Sequence, residues 1–210
     1  GYAGSDVFYD YVCYRDSFTK LKPDLVIAAL NSSDYIDYMI RGGLDRFCAD
    51  GTTHYRKGPW YESVFQYSRF FRAVMYKYKN FPFSGIFVGE KEILNEYSYA
   101  NVALDSTMRL YKTSALQHGA NFVNIIHIVP HEIKYKESNL NIHALATFDS
   151  LAHSLNSQGV NCIYLTQPMV QSFGDSLNLY YHHVDGHYNS RGYNILAGLV
   201  ADSLIANGMI

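Results

Sequence analysis

Apolar and polar positions alternate in blocks along this chain, and the block lengths predict helices and strands in turn. After Ser5-Asp6, which can cap a helix, Val7, Tyr11, Tyr14 and Phe18 fall at i, i+4, i+7 and i+11. Lys22-Pro23-Asp24 would end that helix. Leu25 to Leu30 (LVIAAL) is then a short uninterrupted apolar run, the pattern of a strand buried on both faces of a parallel sheet. A polar turn, Asn31-Ser32-Ser33-Asp34, comes directly after it.

Gly42-Gly43 would break any helix begun at Tyr35. Trp60 to Tyr78 reads as an aromatic-rich helix, with Phe65, Tyr67, Phe70, Phe71, Val74 and Met75 too dense for one stripe. A second long helix falls within Lys91 to Gln117. Regular alternation then returns: a strand over Phe122 to Val129, a helix over Leu140 to Leu155, and a strand over Asn161 to Leu165 after the turn Gln158-Gly159. The last helix spans Ser190 to Ala206, with Ile195, Leu196, Leu199, Val200 and Leu204 on one face and Asn207-Gly208 as its stop. Strands alternating with helices define the α/β class, a parallel sheet covered by helices. With 210 residues, one domain is expected over 1–210, carrying a helical insertion at about 35–120.

Composition narrows the function. Lys and Arg total 17 against 19 Asp and Glu, so no basic excess exists to neutralise nucleic-acid phosphates. Charged residues make up 17%, and the 20 tyrosines, with Asn and Ser, supply much of the polarity. That balance suits carbohydrate or an extracytoplasmic setting. No apolar run approaches the ~20 residues of a membrane-spanning helix, and no basic segment opens a signal peptide. The opening Gly1-Tyr2-Ala3-Gly4 reads as a trimmed or truncated start. Cys13, Cys48 and Cys162 lie far apart with no CxxC pair, so no redox or zinc motif is supported; three buried thiols are expected ahead of one disulfide with a free thiol.

Three clusters could do chemistry. His182-His183-Val184-Asp185-Gly186-His187-Tyr188-Asn189 stands immediately before the last helix. Asp185 can hold one imidazole nitrogen of His187 and leave the other as a general base, while Asn189 caps the helix and Gly192 lets it pack closely. The bland alternative is a polar loop with a capping asparagine; a zinc site built on the three histidines and the aspartate is a third reading. Asn31-Ser32-Ser33-Asp34, at the end of LVIAAL, offers hydroxyl, amide and backbone donors to an oxyanion, or simply caps the next segment. Gly1 to Asp6 offers backbone N–H groups at a helix start. His54, His118, His127, His131, His143 and His153 are scattered and read as structural. Arg41, Arg46 and Trp60 could line a substrate groove, or serve as ordinary surface and core.

In this order the three clusters resemble the motif blocks of the SGNH (GDSL-type) hydrolases. The stretch Asp185-Gly186-His187-Tyr188-Asn189-Ser190-Arg191-Gly192-Tyr193 is similar to the family's acid–base block, with D-x-H in place of the commoner D-x-x-H. Leu25 to Asp34 is similar to the buried strand running into G-x-N-D, with Asn31 at the glycine position and Ser33 at that of the oxyanion-hole asparagine. Gly1 to Asp6 resembles the block whose glycine donates a backbone N–H. The resemblance implies a three-layer flavodoxin-like sheet, His187 as general base, Asp185 as its orienting acid, and Gly4 with Ser33 or Asn31 as oxyanion donors. It implies no cofactor. The family's nucleophilic serine ends the first strand, so that strand and serine are expected upstream of this sequence. Gly174-Asp175-Ser176-Leu177 spells the name motif literally but comes after a loop, in the wrong context for a nucleophile. The expected activity is hydrolysis of a small ester or O-acylated glycan through an acyl-enzyme. The alternatives are an acyltransferase, or an inactive domain that binds glycan or a partner.

Overall fold

A computed structural model describes residues 6–56, 61, 64, 67–77, 90–128, 139–174, 180 and 187–210. Within them the chain is mixed α/β. Three parallel strands, β1 (Leu25–Leu30), β2 (Asn121–Ile126) and β3 (Cys162–Tyr164), lie in the order β1-β2-β3. β1 pairs with β2 from Leu25 opposite Asn121 to Leu30 opposite Ile126, and β3 pairs with β2 from Asn124 opposite Cys162. The helices are α1 (Val7–Asp16), α2 (Ser32–Arg41), α3 (Arg69–Lys77), α4 (Glu90–Gln117), α5 (Asn139–Ser157), α6 (Thr166–Phe173) and α7 (Ser190–Ala206). None of these is long and apolar enough to cross a membrane.

β2 is buried on both sides, and its alternating residues divide the core. Phe122 and Ile126 join a cluster with Phe8 and Tyr11 of α1, Tyr35 of α2, Met108 of α4 and Leu151 of α5. Ile125 joins a second cluster with Met169 and Phe173 of α6, against which Ile195, Leu196, Leu199 and Val200 of α7 pack. The tyrosines work mainly in the first cluster: Tyr111 stacks on Phe122 at 5.6 Å and meets Tyr11 edge-on at 4.9 Å.

Several sequence expectations need correction. α1 starts where expected, with Asp6 as its N-cap, but ends at Asp16 rather than at Lys22. A single 3₁₀ turn, Phe18–Leu21, comes next, so Phe18 leaves the helical stripe and stands half exposed. β1 is not buried on both faces. Ala28 and Leu30 are buried, whereas Ile27 is 45% exposed and Ala29 also faces solvent. The α6–α7 cluster covers this face over β2 and β3 and stops short of β1. Asn31 to Asp34 is no free turn but the cap and first turn of α2, which ends at Gly42 with φ at +89°. In the aromatic stretch Val64 and Tyr67 are also helical, Trp60 and Phe65 lie outside the described residues, and α3 runs from Arg69 with the Ser68 hydroxyl accepting from the Phe71 N–H at 3.1 Å. β2 closes at Ile126, before the expected Val129. α6 was not anticipated at all. The three cysteines are free and half-buried.

Candidate functional site

In a parallel sheet the crevice beyond the carboxyl ends of the strands collects the functional groups. Here β1 is followed by Asn31, β2 by His127, and β3 by Leu165-Thr166.

Asn31 has extended backbone and caps α2. Its side-chain oxygen accepts from the Ser33 N–H at 2.8 Å and from the Ser33 hydroxyl at 2.7 Å. The backbone N–H thus fixes which end of the amide is oxygen. The Ser33 hydroxyl hydrogen is committed to Asn31, while the Asn31 amide nitrogen has no hydrogen-bond partner among the described residues. Between the two residues expected to serve an oxyanion, the geometry therefore favours Asn31 and gives Ser33 the task of holding it.

Asp34 completes the cap by accepting from the Asn31 N–H at 2.9 Å, a reciprocal capping box. Its other oxygen accepts from the Val7 N–H at 3.2 Å, at the first turn of α1. One buried carboxylate thus ties the N-terminus of α2 to that of α1. Burial pushes its pKa up to about 7, although the Asn31 and Val7 N–H groups pull the other way. Asp6 lies alongside. It caps α1 through the N–H groups of Phe8 and Tyr9 and pairs with Arg46 at 2.8 Å and Arg41 at 3.4 Å. Arg46 is buried, donates to the Gly42 carbonyl at 3.0 Å, and lies 4.5 Å from the Phe47 ring. Arg41 also pairs with Asp37 at 3.2 Å; burial raises the Asp37 pKa to about 6 against that pairing. Arg46 therefore belongs to the buried framework of the α1–α2 junction, and the partly exposed Arg41 is paired with Asp6 and Asp37 beside it. Trp60 lies outside the described residues.

His187 is exposed, in the segment entering α7. Its neighbour Tyr188 is buried and donates its phenolic hydrogen to the Ile128 carbonyl at 2.6 Å. The Tyr188 ring stacks on Phe173 at 5.4 Å. Asn189 caps α7, its side-chain oxygen accepting from the N–H groups of Arg191 and Gly192. A Cβ on Gly192 would press into the Tyr180 carbonyl and come within 2.8 Å of the Tyr188 ring, so this helix start admits only glycine. The loop carrying His187 is therefore anchored to the end of β2.

That end holds a residue whose sequence context reads as structural. The His127 backbone N–H donates to the Leu30 carbonyl at 2.9 Å, continuing the β1–β2 ladder up to the residue before Asn31. Its Nδ1 lies 3.2 Å from the Ile128 carbonyl, which only accepts, so Nδ1 carries the hydrogen. Desolvation holds the His127 pKa below its ordinary value and leaves the ring neutral at pH 7. The signal in the sequence was a histidine interrupting the run Asn124-Ile125-Ile126-His127-Ile128-Val129, at the carboxyl end of a buried strand. At the end of β3, the Thr166 hydroxyl oxygen is buried without a partner among the described residues.

The structure thus brings Asn31, Ser33 and His187 to one end of the sheet. Gly4, Asp185, Ser176 and the pair His182-His183 lie outside the described residues. Among the described residues no group of three or more His, Cys, Asp or Glu side chains is placed to hold a metal ion. No protein-family model, curated protein or solved structure matches the chain.

Proposed function

We propose that this chain is the larger part of an SGNH-type serine esterase with a flavodoxin-like sheet, acting on a small ester or an O-acylated glycan. The observation that carries the reading is the convergence at the carboxyl end of the sheet. Asn31 comes after Leu30, whose carbonyl accepts from His127, while His187 precedes Tyr188, whose hydroxyl is bound to Ile128. An oxyanion donor and a general base thus flank the end of β2.

A serine contributed from upstream of Gly1 attacks the ester carbonyl. His187 takes its proton and Asp185 orients the imidazole. The Gly4 N–H and the Asn31 amide stabilise the oxyanion, and His187 gives its proton to the departing alcohol as the bond from the carbonyl carbon to the ester oxygen breaks. Water activated by the same imidazole then releases the acyl group as a carboxylic acid and restores the serine. Two further observations support a preceding strand. The chain-ordered parallel arrangement β1-β2-β3 matches one side of the 2-1-3-4-5 order of flavodoxin-like sheets, whose first strand lies beside the third. Among the described residues β1 has no neighbour on its other edge. A parallel strand in that slot would end beside Asn31.

A fluorophosphonate probe, which reacts with activated serines, tests the reading on the protein with its natural upstream residues. Stoichiometric labelling that disappears in His187→Ala is expected. Absence of labelling in the unmodified protein would overturn the proposal.

A further inference from the structure

His127 is fixed on two sides by the groups that bracket the candidate site. Its backbone binds the Leu30 carbonyl at 2.9 Å, and its ring shares the Ile128 carbonyl with the Tyr188 hydroxyl. With Nδ1–H committed, the other ring nitrogen, Nε2, presents a bare lone pair. Nε2 has no hydrogen-bond partner among the described residues. His127 itself is half-buried.

A lone pair of this kind selects its ligand by elimination. Carboxylates, phosphodiesters and ester carbonyls carry no hydrogen for it at neutral pH, so among organic ligands its partner is an O–H or N–H group. A second general base is a poor alternative. The group orienting the ring is a neutral carbonyl rather than a carboxylate, and its pull toward an imidazolium is outweighed by burial. We propose that His127 is a specificity residue whose Nε2 accepts a hydrogen bond from a free hydroxyl of the substrate. The site then takes esters of polyols or sugars in preference to esters of simple alcohols. This rests on the esterase reading above and narrows its substrate class.

The test compares kcat/KM for glycerol monoacetate and ethyl acetate, using the protein with its upstream residues. The unmodified enzyme should prefer the glycerol ester. In His127→Leu that preference should fall roughly five- to tenfold, the size of one hydrogen bond, with the loss mainly in KM. His127→Gln, which keeps an acceptor, should recover part of it. An unchanged ratio in His127→Leu would overturn the proposal and leave the esterase reading standing. Imidazole nitrogen NMR of the unmodified protein provides a readout that does not depend on turnover or on a variant folding. Saturable movement of the His127 Nε2 resonance with methyl glucoside is expected. A static resonance would overturn the proposal. If neither ester is hydrolysed and no serine is labelled, the esterase reading fails, and the NMR titration alone then decides whether His127 binds a hydroxyl.

Discussion

The Tyr188 hydroxyl and the Ile128 carbonyl, 60 residues apart in sequence, meet in a buried hydrogen bond of 2.6 Å. This contact fixes the start of α7 against the end of β2, and with it the exposed His187. Tyr188→Phe keeps the ring on Phe173 and removes only the hydroxyl, while the Ile128 carbonyl retains His127 Nδ1–H. A loss of about 1 kcal/mol in urea unfolding is expected, together with, on the proposed esterase reading, a fall in kcat as His187 loses its anchor. Stability lost with full activity kept would separate Tyr188 from the site.

Asn31 and Ser33 should differ when changed. If the Asn31 amide is the oxyanion donor, Asn31→Ala lowers kcat about 10²–10³-fold. Ser33→Ala leaves that amide capped by the Ser33 N–H alone and costs far less. Steady-state kinetics with p-nitrophenyl acetate distinguish the two, and the reverse ranking would return the role to the Ser33 hydroxyl.

Stability should fall as pH rises. The Asp34 pKa lies above its unfolded value, raised from 3.8 to about 7, and that of Asp37 is raised to about 6. The folded state therefore binds protons more tightly than the unfolded chain. This contribution is fully present below about pH 4 and is lost as pH climbs through 6 to 7. For Asp34 the displacement limits the effect to roughly 4 kcal/mol. Thermal melts at pH 5 and pH 8 should show a higher Tm at pH 5. Asp34→Asn should flatten the dependence, at a cost in stability at pH 5, since an amide offers only one acceptor to the N–H groups of Val7 and Asn31.

The pair Asp6–Arg46 is buried on both sides, so removing one partner strands the other. Asp6→Ala removes the α1 cap and leaves a buried guanidinium, for an expected loss of roughly 3–5 kcal/mol. Arg46→Met should cost less, because Asp6 keeps the Phe8 and Tyr9 N–H groups and Arg41. Urea unfolding of the two variants should preserve this order.

Much of the fold was legible because period and punctuation agreed: LVIAAL marked β1, and Asn189 with Asn207-Gly208 bounded α7. What escaped depended on tertiary neighbours. The exposure of Ile27 reflects where α6 and α7 stop, which no local pattern encodes. α6 is only eight residues long and carries Pro168 in its first turn, where an N–H is unpaired in any case. At the site, Asn31 to Asp34 was readable as a cap for the next segment, but where the Ser33 hydroxyl donates its hydrogen is set by the cap geometry. His127 could be weighed only once β2 had an end and Tyr188 had reached it. The tyrosine excess changes its meaning as well: Tyr11, Tyr14, Tyr35, Tyr97 and Tyr111 are core residues, which weakens composition as an argument for carbohydrate.

His187 as the base of an ester-hydrolysing site is the assignment on which the other roles at this end of the sheet depend. Hydrolysis of p-nitrophenyl acetate by the protein with its natural upstream residues, alongside His187→Ala, decides it. Turnover should fall by about 10²–10⁴-fold in the variant while its thermal melt is unchanged. Hydrolysis that proceeds equally in both proteins, or in neither, would refute the assignment.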